Sequence, residues 1–338
     1  MKKRIAQLFL IILAMLIGAG LWMYFTAFNA YDGKEPVRIY VPAGSSFNSL
    51  KDTLTSRLGE DYGGDVVRLF KLRHGDIDRA TGSYVINPGD RAWSVNNRLR
   101  TGTQSPVRLT FNNIRTFDDL AKRVSDRFMW DADAFKSTAD SLLPGMGFDG
   151  KETYPAAFTP DTYEFFWTTA PEKVITTLVK SRNDFWNSKR RDQAKALGLT
   201  PVEVTTLASI VEEETAKNDE KGKVARLYMN RLAKGMKLQA DPTVKFALGD
   251  FALRRIGDKH LETVSPYNTY QVTGLPPGPI RIPEKSTINA VLNAPRHDYL
   301  YMCAKADFSG YHDFAVDYNT HMANARAYQT ELNKRNIH

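Results

Sequence analysis

The 338 residues of the chain allow two to three domains and a sizeable hydrophobic core. With 42% hydrophobic and 25% charged residues, the composition is that of a globular protein, which excludes the collagen-like and disordered classes. The net charge of +8 is compatible with nucleic acid, an anionic membrane surface or an anionic cell-wall polymer as a partner. Because no Lys/Arg-rich run, zinc pattern or RNA-binding signature occurs, nucleic acid is the weakest of the three.

The N-terminal segment is predicted to span a membrane. Residues Ile5 to Phe28 carry no charge, and about 20 apolar residues suffice to cross a bilayer. The apolar run is longer than the ~7–15 residues of a signal-peptide core, and no clear cleavage site follows it. We therefore favour a single-pass anchor over a cleaved signal peptide. The basic cluster at residues 2–4 should stay in the cytoplasm, which places the chain after about residue 30 outside.

Residues 31–112 are predicted to form a small α/β module. The period-2 pattern of Val37 to Val41 indicates a strand, and further strands are expected at 82–86 and 104–111. Helical patterns cover residues 47–58, 66–74 and 92–100. The next segment is predicted to be helical over 116–140, followed by a Gly/Pro-rich break at 143–147 and a long helix over 174–196. Between them, Asp161 is expected to be a turn or cap residue.

A central helix is predicted to begin at Thr200. Thr200 can cap the free amides, Pro201 lacks the N–H that would go unpaired, and Glu203 can reach back three residues. The apolar residues Val204, Leu207, Ala208 and Val211 then recur at helical spacing, so we expect one face of this helix to be buried.

Three consecutive glutamates end this helix. On the helical wheel Glu213 points away from the apolar stripe and should be solvated, while Glu212 lies on the flank of the stripe. Glu214 falls about 50° from the centre of the stripe, where a carboxyl group is desolvated and its pKa rises. Such a group suits a general acid. The alternative is a solvated acidic face paired with Lys217 or Lys221.

The segments after the helix are rich in Tyr, Asn, Thr and Gln and are stiffened by proline. They cover residues 236–244, 265–270 and 274–280, and this composition suits a cleft that holds sugar hydroxyls and N-acetyl groups. Beyond them we expect a helix over 286–293, a strand over 299–304 with a hairpin partner over 310–315, and a final helix from Tyr318 to Asn336. His312 could contact substrate or be structural, and His321 is expected to be structural.

Four motifs occur in a fixed order between residues 200 and 280. They are Ser209-Ile210-Val211-Glu212-x-Glu214-Thr215, Val224-Ala225-x-x-Tyr228-x-Asn230-Arg231-Leu232, Leu238-Gln239-x-Asp241-Pro242-Thr243-Val244 and Tyr267-Asn268-Thr269-Tyr270-x-x-x-Gly274-Leu275-Pro276-Pro277-Gly278. By these motifs the chain resembles the MltG (YceG-like) family of endolytic murein transglycosylases, which cleave the glycan strands of nascent bacterial peptidoglycan. Weaker matches extend from the N-terminal segment to His321.

The resemblance implies one catalytic carboxyl group, that of Glu214, with Glu212 in reserve. Glu214 would protonate the oxygen between N-acetylmuramic acid and N-acetylglucosamine, and then take the proton of the muramoyl C6 hydroxyl, leaving a 1,6-anhydro end. The candidate substrate-binding residues are Thr215, Asn230, Gln239, Asp241, Thr243, Tyr267, Asn268 and Tyr270. Asp241 has a competing role as the cap of a helix starting at Pro242.

The chain departs from the family pattern in two places. Pro155-Ala156 stand where the family has Glu-Gly, and residues 281–284 replace its Asn-Pro-Gly, so the acidic residue and that rim of the site differ here. A metal site is disfavoured, because no H-E-x-x-H motif occurs and Cys303 is the single cysteine, and no cofactor is expected.

The resulting prediction is an α+β protein in three parts: a cytoplasmic tip and transmembrane anchor (1–30), a LysM-like module (31–112) and a YceG-like catalytic domain with a helical core (113–338). The module would contact glycan or act as a spacer. The expected location is the bacterial inner membrane, with the catalytic part periplasmic. The expected partners are peptidoglycan glycan strands and the membrane, with cell-wall synthases as candidates and no nucleic acid. The alternatives are a muramidase-type hydrolase and a non-enzymatic wall-binding scaffold.

Overall fold

A computed structural model describes residues 2–253 and 255–335 of the chain as a mixed α/β protein. The helices are α1 (Lys2–Phe28), α2 (Phe47–Leu58), α3 (Glu60–Leu72), α4 (Ala92–Thr101), α5 (Phe117–Ser125), α6 (Ala132–Leu142), α7 (Pro171–Phe185), α8 (Ser188–Ala196), α9 (Pro201–Glu214), α10 (Lys221–Ala233), α11 (Asp241–Leu248), α12 (Asp258–Leu261), α13 (Lys285–Leu292) and α14 (Tyr318–Lys334). The strands are β1 (Val37–Val41), β2 (Gly82–Ile86), β3 (Val107–Phe111), β4 (Asp161–Phe165), β5 (Tyr301–Ala304) and β6 (His312–Ala315). They pair as β1–β2, β3–β4 and β5–β6.

The chain divides into two compact units. Unit one contains the residues up to 109, together with 127–129 and 163–170, and unit two contains 110–126, 130–162 and the chain from 171 onward. Helix α1 is long and apolar enough to cross a bilayer over Lys3–Phe28, judged by length and composition. The mixed α/β class and the N-terminal apolar helix agree with the sequence-based prediction.

Unit one is built on the antiparallel pair β1–β2, in which Val37 lies opposite Ile86. Helices α2, α3 and α4 accompany this pair, and fully buried side chains such as Leu54, Phe70 and Tyr84 form the core. Each of these large apolar side chains stabilises the fold by about 1.5–3 kcal/mol through burial.

The predicted helix over 66–74 is in fact α3, which begins six residues earlier at Glu60. The sequence pattern hid its first turn, because Gly63 and Gly64 resemble a break. Gly63 is needed where α3 crosses α2, since a Cβ atom there would come within 2.4 Å of the carbonyl oxygen of Leu54.

Two long helices predicted for unit two are each broken. The helix over 116–140 is divided into α5 and α6, because Asp131 caps a new helix by accepting a hydrogen bond from the N–H of Ala134. The helix over 174–196 is divided into α7 and α8, because the side chain of Asn187 likewise accepts from the N–H of Arg190. The apolar pattern continued across both breaks and concealed them.

Helix α9 is the centre of unit two, as predicted. Thr200 and Glu203 form a reciprocal capping box, and Pro201 occupies the first turn. The burial is wider than the predicted single stripe, because Thr205, Thr206 and Ser209 are also buried. Their side-chain hydroxyls are satisfied locally, for example by donation from Ser209 to the carbonyl of Thr206. Helix α9 therefore has neighbours on nearly every side.

The C-terminal part of unit two matches the prediction closely. The strands of the antiparallel pair β5–β6 each begin two residues later than expected, and Asp317 caps α14. The predicted end of the last helix, Asn336, lies outside the described residues.

Candidate active site

A cleft of about 280 Å³ opens at the C-terminal end of α9. Helix α10, the loop before α11, the loop after α12 and the β5–β6 pair supply its walls. The lining residues are Glu214, Leu227, Tyr228, Arg231, Leu238, Gln239, Asp241, Tyr270, Met302, Cys303, Ala304 and His312. Four of the predicted site residues, Glu214, Gln239, Asp241 and Tyr270, thus come together although 56 positions separate the first from the last.

Glu214 is the last residue of α9, and its side chain is half-buried in the cleft. Burial raises the pKa of Glu214 from its ordinary 4.5 to about 7, and the charge of Asp241 adds to this rise. The hydrogen bond from Tyr228 and the charges of His312 and Arg231 act in the opposite direction. A large fraction of Glu214 is therefore protonated near neutral pH, as its helical position predicted.

Tyr228 on α10 fixes the orientation of this carboxyl group. Its hydroxyl donates to Oε1 of Glu214 over 2.6 Å. Tyr228 is only 2% exposed, and burial raises its pKa well above the ordinary value, so it remains a phenol donor. Because Oε1 accepts this bond, Oε2 is the oxygen left to carry the acidic proton. Tyr228 was not among the predicted site residues.

The opposite wall is formed by Gln239, Asp241 and Tyr270. The hydroxyl of Tyr270 donates to Oδ1 of Asp241 over 2.6 Å. The prediction that Asp241 caps α11 is wrong, because Ala240 occupies the N-cap position without a side-chain hydrogen bond and Asp241 faces Tyr270 instead.

Arg231 holds the wall of the cleft that contains Gln239 in place. Arg231 donates from Nη1 to the carbonyl of Leu238 over 2.7 Å and to Oε1 of Gln239 over 3.3 Å. Its Nε donates to the carbonyl of Leu300. Gln239 adopts a left-handed backbone with φ of 51°, a strained conformation for a residue other than glycine. Such strain persists only where the surroundings enforce it, which is consistent with a preorganised wall.

Five predicted substrate-binding residues do not line the cleft, and four of them use their polar groups within the protein. Asn230 donates to the carbonyls of His297 and Tyr299, and Asn268 donates to those of Leu261 and Thr263. The hydroxyl of Thr243 pairs with that of Thr269, and the hydroxyl of Thr215 donates to Glu220. The ring of Tyr267 packs against Phe246. These residues hold the walls of the site from behind.

The prediction that Glu213 is solvated is wrong. Its carboxylate pairs with the guanidinium groups of Arg115 and Arg281, so it is neutralised by side chains distant in sequence. Glu212, the reserve candidate, accepts hydrogen bonds from the N–H of Glu284 and the hydroxyl of Thr287, and lies outside the cleft. The acidic run is thus neither a solvated face nor paired with Lys217 or Lys221.

His312 is held by a buried carboxylate. Nδ1 of its ring lies 2.8 Å from Oε2 of Glu220, and its backbone N–H donates to Oε1 of the same carboxylate over 2.9 Å. Glu220 is 4% exposed. Because the carboxylate of Glu220 can only accept, Nδ1 of His312 carries a proton. The other ring nitrogen, Nε2, takes no part in this bond and is available for a substrate contact, since His312 lines the cleft.

The cleft thus holds a half-buried carboxyl group with a raised pKa among polar side chains, an arrangement that general-acid catalysis requires. Over residues 39–327 the chain matches the YceG-like family, to which it belongs. The resemblance to the MltG (YceG-like) family is therefore confirmed.

Relatives and a solved structure agree with this membership. The chain is 28% identical to the endolytic murein transglycosylase of Bacillus subtilis (strain 168), covering 82% of this chain and 81% of that protein. It is 25% identical to the protein of the same name from Streptococcus pneumoniae serotype 2 (strain D39 / NCTC 7466), of which it spans 60%. A crystal structure of a yceG-like protein from Listeria monocytogenes shares the fold, with a TM-score of 0.56 and 27% identity over 86% of this chain and 99% of that one.

Proposed function

We propose that the chain is an endolytic lytic transglycosylase that cleaves peptidoglycan glycan strands, with Glu214 as general acid and then general base. The observation that carries this proposal is the Glu214 carboxyl group, whose pKa is raised to about 7 in a polar cleft. The names of the relatives, endolytic murein transglycosylase, support the substrate class.

In the first step, Oε2 of Glu214 gives its proton to the glycosidic oxygen between N-acetylmuramic acid and N-acetylglucosamine. The bond from that oxygen to the muramoyl anomeric carbon breaks, and positive charge develops on the carbon. Tyr228 keeps its hydrogen bond to Oε1 throughout and stabilises the carboxylate that forms. The N-acetyl group of the substrate can share the positive charge.

In the second step, the C6 hydroxyl of the same muramoyl residue attacks the anomeric carbon. Its proton passes to the Glu214 carboxylate, which regenerates the acid and leaves a 1,6-anhydro end. Glycosidases that use water place two carboxyl groups across the scissile bond. A single one suffices here because no water molecule is activated. Acid–base catalysis of this kind contributes roughly 10²–10⁴-fold, and orientation in the cleft supplies more.

Sugar binding falls to the side chains that face the cleft. Gln239, Asp241 and Tyr270 offer acceptors and donors on one wall, and Nε2 of His312 offers a further contact. Thr215, Asn230, Thr243, Tyr267 and Asn268 would act on the substrate only through the walls that they support.

The proposal extends to the parts outside unit two. Helix α1 anchors the chain in the inner membrane by a single pass, with the rest periplasmic, because the basic residues precede it. The chain then has three parts, residues 1–30, 31–112 and 113–338, of which the second is a LysM-like module that contacts glycan. Cell-wall synthases are candidate partners.

Digestion of purified glycan strands by the full chain in detergent tests this function. A transglycosylase yields 1,6-anhydro ends, whereas a muramidase-type hydrolase yields reducing ends that are heavier by one water molecule. A wall-binding scaffold yields intact strands. Mass spectrometry of the products separates the three outcomes, and either of the last two contradicts the proposal.

A further inference from the structure

Another cavity lies within unit one, between the last turns of α1 and the start of α4. Its volume is about 660 Å³, and its walls are mostly apolar. Gly20, Met23, Tyr24 and Phe28 line it from α1, and Arg91 and Trp93 line it from the other side. We call this cavity the juxtamembrane groove. It takes no part in the chemistry at Glu214.

The two sides of the groove are held together. Thr26 and Ala27 of α1 are buried, at 5% and 6% exposure. The side chain of Asn29 donates to Asp65 over 2.8 Å, and the N–H of Ala92 donates to the carbonyl of Asn29. The end of α1 is therefore part of the folded unit, so the groove has fixed walls.

The depth of the groove follows from the length of the helix. The 20 residues from Ile5 to Tyr24 rise about 30 Å, which is the thickness of the hydrocarbon core of a bilayer. Gly20 and Met23 then lie at acyl-chain depth. Phe28 lies about 6 Å further along the helix, at the depth of the lipid headgroups.

The headgroup end of the groove is cationic and aromatic. The guanidinium of Arg91 lies 5.0 Å from the ring centroid of Phe28, and that of Arg73 lies 3.8 Å from the ring of Trp93. Trp93 is 42% exposed, as an interfacial tryptophan would be. Among the described residues, neither arginine has an acidic partner within ion-pair distance. Arg91 thus lines the apolar slot, and Arg73 stacks on the ring of Trp93, which forms part of its wall.

We propose that the juxtamembrane groove binds one anionic phospholipid of the leaflet into which α1 emerges, an inference that rests on the membrane anchor of the proposed function. An acyl chain lies along Gly20 and Met23, and the phosphate lies at Arg91. A peptide is a poorer occupant, because its backbone polar groups would be unsatisfied at acyl-chain depth. Free phosphate would occupy only the headgroup end of the groove and leave the acyl-chain part empty.

The test uses the full chain in mild detergent, offered equal amounts of phosphatidylglycerol and phosphatidylcholine with identical acyl chains. Native mass spectrometry counts the retained lipids. The wild type should retain one phosphatidylglycerol with about a fivefold preference, the equivalent of the ~1 kcal/mol that a basic residue gains near an anionic surface. Arg91→Gln should lose the preference. Arg108→Gln, the same charge change on an exposed position of β3, should keep it.

Two glycines of α1 supply a matched control for the acyl slot. A Cβ atom at Gly18 or Gly20 meets nothing within 4 Å, and only Gly20 lines the groove. Gly20→Leu fills the slot and should abolish retention of both lipids, whereas Gly18→Leu should retain them as the wild type does. Equal retention of the two lipids by the wild type, or equal loss in the two leucine variants, overturns the proposal. If the chain does not float with vesicles, both the membrane anchor of the proposed function and the lipid in the groove are contradicted.

Discussion

Replacing Glu214 by Gln should make the protein more stable at alkaline pH. The substitution keeps the shape of the side chain and its bond from Tyr228, and removes the ionisation. The pKa of Glu214 is about 7 in the folded protein and close to 4.5 when unfolded. Between these values the folded state binds more protons, so the free energy of unfolding falls as pH rises. The contribution of the protonated Glu214 to the free energy of unfolding is fully present below pH 4.5 and is lost as the pH rises through 7.

The gain in the free energy of unfolding that Glu214→Gln should produce follows from the difference between the folded and unfolded pKa values of Glu214. Each pKa unit corresponds to about 1.4 kcal/mol, which sets an upper bound of about 3 kcal/mol. Because the side chain is only half-buried, solvent screening reduces the expected gain to about 1–2 kcal/mol. A change of 1 kcal/mol moves Tm by about 2–4 °C for a domain of this size. The variant should therefore melt several degrees above the wild type at pH 8.5.

Thermal unfolding of both proteins in the same detergent, at pH 4.5 and pH 8.5, measures this difference. The two Tm values should nearly coincide at pH 4.5 and separate at pH 8.5. Glu212→Gln is the control. It keeps one oxygen that can accept from Glu284 and Thr287, but it removes the charge that faces Nε of Arg281 at 3.4 Å, so it should lower Tm at both pH values. A difference between Glu214→Gln and wild type that does not change with pH would refute the reasoning.

Two further substitutions test the site and its support. Tyr228→Phe removes the bond that lowers the pKa of Glu214, so the alkaline limb of the pH–rate profile for glycan cleavage should move to higher pH; a limb that moves to lower pH would contradict the assigned hydrogen bond. Gly278→Ala should destabilise the fold by more than about 2 kcal/mol in denaturant titration, because its Cβ would lie 1.8 Å from the carbonyl oxygen of Glu152. Gly145→Ala, with open space around it, should be nearly neutral, and equal effects at both glycines would count against this contact.

Local chemistry was sufficient to predict the helix that carries the site. The Thr200–Glu203 capping box and the apolar spacing placed α9 and put Glu214 near the buried face. Asp131 and Asn187 are also local signals, because each is an N-cap residue whose side chain starts a new helix. The continuous apolar pattern around them concealed these two helix starts.

Long-range pairing could not be predicted in the same way. Glu213 faces outward on the helical wheel, yet Arg281, 68 positions later, neutralises it. Glu220 and His312 are 92 positions apart and meet only because β6 returns to the start of α10. Tyr228 offered one signal, since it lies with Lys221 and Arg231 among the apolar residues of the buried face of α10. Polar residues on a buried helical face require partners, and here one partner is Glu214.

The central claim is that the proton for cleavage comes from Glu214. Its most direct test is the count of 1,6-anhydro ends released from purified glycan strands by wild type, Glu214→Gln and Glu212→Gln, each verified as folded. We expect the wild type and Glu212→Gln to produce these ends and Glu214→Gln to produce none above background. Comparable release by the two variants would contradict the assignment.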